Sequence, residues 1–194
     1  PLVWLAAPFS LEAAAGVTAA LRLLTALVFT FLFLRRQGLG QRASAGGAVA
    51  YGLRGFVLLW LGWPIGNAGA LLPAVLYAVA RCADPGGRRD CALLAAAATA
   101  LLLSGHPETM MYGLAVAGFL LLALVLSRIT QEDRRAGWRL LVRGGAAFLV
   151  AGCVAAPVLL LAQEYLPQSH RARVVEARFL KRPLAGLGEE LARP

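Results

Sequence analysis

His106 and Glu108 stand two residues apart in the segment Ser104-Gly105-His106-Pro107-Glu108-Thr109-Met110-Met111-Tyr112, a polar knot between two apolar runs. The chain has only two histidines, so finding one beside a carboxylate here is a chemical signal and not a matter of composition. An imidazole and a carboxylate at the mouth of a helical bundle can move a proton or help to hold a divalent cation, the candidate cofactor. Two ligands alone do not make a metal site. Tyr112 follows Glu108 by four residues, so on a helix its phenol shares that face and can orient the carboxylate. The same residues have a purely architectural reading. Pro107 suits the first position of a helix, Gly105 or His106 its cap, and Glu108 the first turn, where the helix dipole favours an acid.

Two arginines form the second group. Arg22 and Arg54 lie inside runs that otherwise suit a bilayer. An arginine at mid-membrane costs about 2.5–3.5 kcal/mol on insertion scales, so it faces the bundle interior or a polar cavity. Each is a candidate to meet a phosphate-bearing ligand, and the alternative is an internal pair with a carboxylate or backbone carbonyls. A third group, Glu164 with Gln168, Ser169, His170 and Arg171, comes after the last apolar run. It either lines a site at that end or is the solvated exit of a helix. No Ser-His-Asp set, phosphate-cradling glycine loop, dinucleotide fingerprint or paired-cysteine metal motif is present in the sequence.

The elements that must position these residues are transmembrane helices. The chain is 59% hydrophobic and 15% charged, against about 25% charged for a soluble domain. Residues 109–127 and 144–163 carry no charge, and a helix crossing the hydrocarbon core needs roughly 20 such residues. The polar stripe that a soluble Ala/Leu-rich bundle would require is missing from these runs. Six spans are expected, near 13–34, 43–63, 68–80, 91–104, 109–127 and 144–162. The fourth is short enough to be re-entrant, and residues 163–194 form an outer or interfacial tail. Ser10 is the expected N-cap of the first helix. The breaks between apolar runs fall at span ends, and no inverted repeat is evident.

Loop charge gives the orientation. Arg35, Arg36 and Arg42 come after the first span, Arg81, Arg88 and Arg89 after the third, and Arg128, Arg134, Arg135, Arg139 and Arg143 after the fifth, whereas the loops after the second and fourth hold no Lys or Arg. The positive-inside rule makes the arginine loops cytoplasmic, and puts 105–108 and the tail outside. This distribution also accounts for the formal charge of +9 without a nucleic-acid partner. There are no aromatic-basic platforms of the kind that bind single strands. The three cysteines, Cys82, Cys91 and Cys153, have no metal-ligand spacing and read as ordinary thiols.

Leu34-Arg35-Arg36-Gln37-Gly38-Leu39, the run 43–55, Pro73 in Leu71-Leu72-Pro73-Ala74, and above all Leu103-Ser104-Gly105-His106-Pro107-Glu108 resemble the bacterial YfhO-like membrane proteins. Ala156-Pro157 and the segment 164–171 are similar to the corresponding later segment of that family. The resemblance implies kinship with the C-type (GT-C) glycosyltransferases, all-α polytopic enzymes. These take a sugar from a polyprenyl-phosphate carrier and pass it to an acceptor, such as a glycan or polymer, on the outer face of the membrane. It further implies a catalytic aspartate in the first outer loop, for which this sequence has no matching position. The chain therefore reads as a fragment that begins beyond that loop and is inactive alone. Arg54 also departs from the small residue expected there. In this reading His106, Glu108 and Tyr112 support the site, and Arg54, Arg22, Glu164 and Arg171 are the substrate-binding candidates. A transporter or flippase for a lipid-linked substrate and a non-catalytic membrane scaffold are the competing classes.

Overall fold

A computed structural model describes residues 6–84, 88–131 and 134–165. Among these residues the chain is all-α, with seven helices and no strand: α1 (Leu11–Arg36), α2 (Gln41–Gly52), α3 (Gly55–Leu59), α4 (Pro64–Ala83), α5 (Arg88–Leu102), α6 (Pro107–Gln131) and α7 (Arg134–Tyr165). It divides into two compact units, Pro1–Ala155 and Ala156–Pro194. Of the second, the last turns of α7 are described, a helical stretch with Pro157 inside it. The outer tail and Arg171 lie beyond the described residues.

Four helices, α1, α4, α6 and α7, are long and apolar enough to cross a membrane. Their surfaces make the same case. Leu24 and Val28 on α1, Phe119 and Leu122 on α6, and Leu149 and Val154 on α7 are exposed large apolar side chains. Such rows need an apolar solvent, since a bundle in water would bury them. The chain is a helical membrane protein.

Within the first unit α4 is the central helix: 72% of its most apolar stretch is buried, against 22% for α1 and for α6. Its sequence explains why. Gly66, Ala68, Gly69, Ala70, Ala74 and Ala78 are small, and small residues let neighbouring backbones approach where apolar surface alone gives no drive to associate in lipid. Helices α1, α3, α5 and α6 pack on it. Leu71, Val75 and Val79 of α4 meet Leu94 and Leu101 of α5 and Leu121 and Val125 of α6, and Leu140 and Ala147 of α7 complete that core. Gly144 of α7 faces Leu121 so closely that an added Cβ would stand 2.7 Å from its Cδ2.

Three helix starts, those of α1, α4 and α6, follow signals in the sequence. Ser10 Oγ accepts the Ala13 backbone N–H at 3.4 Å and so caps α1, with Glu12 in its first turn and Arg35 and Arg36 in its last. Pro64 opens α4 and Pro107 opens α6, positions where the missing N–H costs nothing. At the opposite ends of these helices Arg36 pairs with Asp84, and Arg81 with Asp90 at 2.6 Å, fastening α1 to the end of α4 and α4 to α5.

The stretch expected as one span near 43–63 is built as two helices. Helix α2 stops at Gly52, Leu53 leaves helical geometry, and Arg54 is extended (φ −62°, ψ 147°) before the short α3. Gly52 and Gly55 flank this point, and each lowers helical preference by about 1 kcal/mol relative to alanine. Turning the backbone there also frees the arginine from a helix face that would otherwise point it into apolar surroundings. The segment expected near 91–104 is α5, at 15 residues the shortest of the helices packed on α4 apart from α3.

Candidate functional site

Arg22 and Asn67 form the polar centre of the first unit. Arg22 is only 4% exposed although it lies in the middle of α1. Its Nε donates to Asn67 Oδ1 at 2.8 Å, and its Nη1 donates to the Leu61 carbonyl in the turn before α4. Asn67, itself 5% exposed, donates from Nδ2 to the Ser104 carbonyl at 3.1 Å. One asparagine thus joins α1, the first turns of α4 and the end of α5. Of the two alternatives for Arg22, an internal partner is what the structure contains, with an amide and a carbonyl in that place. A guanidinium held by these charge-assisted bonds positions Asn67 and the turn before α4.

That network seats the turn between α5 and α6. Gly105 takes a left-handed conformation (φ +86°), where a Cβ would be strained. His106 comes next as the cap of α6. Its Nδ1 accepts the Thr109 backbone N–H at 3.3 Å and lies 2.8 Å from Thr109 Oγ1. Accepting a backbone N–H leaves the Nδ1 lone pair committed, so the neutral ring carries its proton on Nε2. One turn of helix then separates Glu108 from Tyr112, and the Tyr112 hydroxyl donates to Glu108 Oε1 at 3.3 Å. Both of these side chains are exposed.

His106→Asn is expected to retain stability, because asparagine also caps, whereas His106→Ala is expected to cost about 1 kcal/mol. Thermal unfolding in detergent reads this directly. An alanine variant as stable as the parent would remove the capping role.

Arg54 meets this segment across a groove. The break before α3 lays its guanidinium over the Tyr51 ring at 4.0 Å from the centroid and beside Phe56 at 5.4 Å. Tyr51 is held in turn by its hydroxyl, which donates to the Gly69 carbonyl at 2.7 Å. A cavity of about 370 Å³ opens between Arg54 and Phe56 on one side and Thr109, Tyr112 and Val116 of α6 on the other, with Gly69 and Leu72 of α4 as its floor. Its walls are mostly apolar, and among the described residues Arg54 is its one cationic side chain.

The structure therefore brings Arg54 and Tyr112 into one groove, with Glu108 and His106 each one contact removed through Tyr112 and Thr109. Arg22 is buried in the network beneath. Glu164 is exposed on the last turn of α7 and belongs to the second unit, and Arg171 lies outside the described residues. Among the described residues no three metal-ligating side chains converge. With Nδ1 of His106 engaged in the cap and Glu108 bonded to Tyr112, the donors at this turn do not make a metal centre by themselves.

Reading the residues one by one passes over Asn67 and Tyr51. Asn67 looks like part of a polar turn, yet it is buried and ties three helices together. The available signal is its setting between Gly66 and Gly69, which marks a place where helices come close. Comparison of the chain with protein families, with curated proteins and with solved structures finds no match.

Proposed function

We propose that this chain is part of a membrane glycosyltransferase-like protein that takes a sugar from a polyprenyl-phosphate carrier and passes it to an acceptor on the outer face of the membrane. The observation that carries the proposal is the groove itself, the Arg54 guanidinium set among apolar walls. A phosphate joined to a prenyl chain has the matching chemistry: the anion pairs with Arg54, and the chain lies along Phe56, Leu72 and Val116. Thr109 and Tyr112 supply hydroxyl groups within reach of a sugar, and Glu108, oriented by Tyr112, borders the acceptor side. Sugar transfer, as distinct from binding, rests on the Gly-His-Pro-Glu resemblance. The aspartate that resemblance implies has no counterpart among these residues.

Arg54→Gln is expected to weaken binding of a polyprenyl phosphate by about ten-fold or more, since a charge-assisted hydrogen bond contributes about 1.5–3 kcal/mol. Native mass spectrometry of the detergent-solubilised chain with polyprenyl phosphate and with the uncharged polyprenol measures it. Equal retention of the two lipids by the unmodified chain would count against the proposal. Release of label from a polyprenyl-phosphate-linked sugar to an acceptor tests the transfer step.

One observation favours a second reading, a transporter or flippase for the same class of lipid. The α2–α3 segment is a discontinuous helix with an arginine at its break, a construction that transporters use at substrate sites. Movement of the lipid-linked sugar across reconstituted vesicles without sugar transfer would decide for it.

A further inference from the structure

The end of the first unit remote from the groove carries a second, chemically different cavity. Two adjoining spaces of about 270 and 430 Å³ share Ala83, Asp84 and Arg128 as common walls. Arg139 and Arg143 of α7 border the first, and Arg36 of α1 borders the second. Among the described residues four guanidinium groups thus surround a single carboxylate, Asp84, which is already paired with Arg36. The neighbouring carboxylate, Asp90, is paired with Arg81. Glu132 and Asp133, which join α6 to α7, lie outside the described residues.

Arginines at the ends of transmembrane helices have an ordinary explanation in topology and in the carbonyl dipoles of helix C-termini. Neither effect requires them to converge, and here residues from α1, α4, α6 and α7 do converge on one concavity. Arg128, Arg139 and Arg143 also make contacts within the protein. A guanidinium has five N–H donors in a planar fork, so an internal contact still leaves it able to grip an anion, and the same contacts fix its position. Leu140 supplies an apolar part of the wall of the first space, and Ala80 and Leu124 of the second.

We infer that this cavity binds the phosphodiester headgroup of an anionic membrane lipid, with Arg128, Arg139 and Arg143 on the phosphate oxygens and the lipid's glycerol end against Leu124 and Leu140. Basic pockets between helices hold acidic headgroups in this way. The site is independent of the groove at Arg54, and it gives the arginine-rich end a specific ligand where topology alone would ask only for charge.

The test uses the whole chain in nanodiscs of phosphatidylcholine alone, or of phosphatidylcholine with phosphatidylglycerol, then native mass spectrometry of retained lipid and thermal unfolding. Phosphatidylglycerol is expected to stay bound and to raise the unfolding temperature. The triple variant Arg128→Gln, Arg139→Gln, Arg143→Gln is expected to lose retention about ten-fold. A second triple variant, Arg42→Gln, Arg88→Gln, Arg89→Gln, removes the same charge from positions that do not line the cavity and is expected to keep it. If the first variant does not insert, Arg139→Gln alone is read in the same assay. Equal loss in both triple variants would reduce the effect to diffuse charge and overturn the site. So would the absence of any difference between the two lipid compositions for the unmodified chain. Stabilisation by inorganic phosphate to the same extent, without retained lipid, would assign the pocket to a free anion and overturn the lipid.

Discussion

Asn67→Leu is expected to destabilise the folded chain by about 2–4 kcal/mol and to leave a small fraction of it correctly assembled. The substitution keeps roughly the same volume, so packing is not what is lost. It removes the acceptor of Arg22 Nε and the donor to the Ser104 carbonyl together. The guanidinium then stays in a closed apolar core with the Leu61 carbonyl as its remaining partner. Arg22→Leu is expected to cost less, because it removes the charge along with its bonds and leaves only neutral acceptors short of a partner. The double variant Arg22→Leu, Asn67→Leu should then be more stable than the sum of the two single losses indicates, since the second change relieves what the first exposes. A double-mutant cycle measured by reversible unfolding in detergent supplies the three numbers. Strict additivity would mean that Arg22 and Asn67 are not coupled.

The second large effect is expected at Gly66. A Cβ built there runs into the Trp60 carbonyl oxygen and stands 3.0 Å from the Trp60 carbonyl carbon, so a methyl group has backbone and not a flexible side chain in its way. Gly66→Ala is therefore expected to cost about 1–3 kcal/mol, the usual range for forcing extra volume into a packed site. It should also push the turn at Leu61 away from Arg22, which couples it to the Arg22–Asn67 network. Gly55 and Gly62 are the internal comparison. Nothing lies within 4 Å of a Cβ at either position. Alanine there reduces the freedom of the unfolded chain and is expected to be neutral or to stabilise by about 0.4–1 kcal/mol. Unfolding temperatures of the three variants check the contrast, and a Gly66→Ala chain as stable as Gly62→Ala would show that the α3–α4 turn is not seated as described.

How far these features could be read from residues alone differs from one to the next. The membrane class was legible, because long uncharged runs of Leu, Ala and Val leave a helix no polar face to show to water. The cap of α1 at Ser10 and the start of α6 at Pro107 were legible for a similar reason, since capping is decided within four residues. The Glu108–Tyr112 contact comes directly from helical spacing. The break at Leu53-Arg54 was not legible, because hydropathy averages over it and treats 43–63 as one run. What decides it is local, two glycines and an arginine that gains an aromatic face by turning out. The partners of Arg22 were not legible either. They come from α4 and the turn before it, some forty residues away, and no periodicity within α1 points to them. The groove is the same kind of feature, an opening between helices whose two sides are distant in the chain.

The shortness of α5 has a consequence for the surrounding bilayer. At about 1.5 Å per residue its 15 residues rise about 22 Å, whereas the 20 residues of α4 rise about 30 Å and the 25 of α6 about 38 Å. A hydrocarbon core of about 30 Å cannot be matched by all three at once. A helix as long as α6 fits such a core by tilting, whereas α5 is not among the four helices long and apolar enough to cross it. The Gly105 turn at the end of α5 is level with the starts of the longer helices, since a Cβ at Gly105 would stand 3.5 Å from Pro64 Cβ at the start of α4 and Pro107 opens α6 two residues on. The difference in length therefore falls at the opposite, arginine-bearing end.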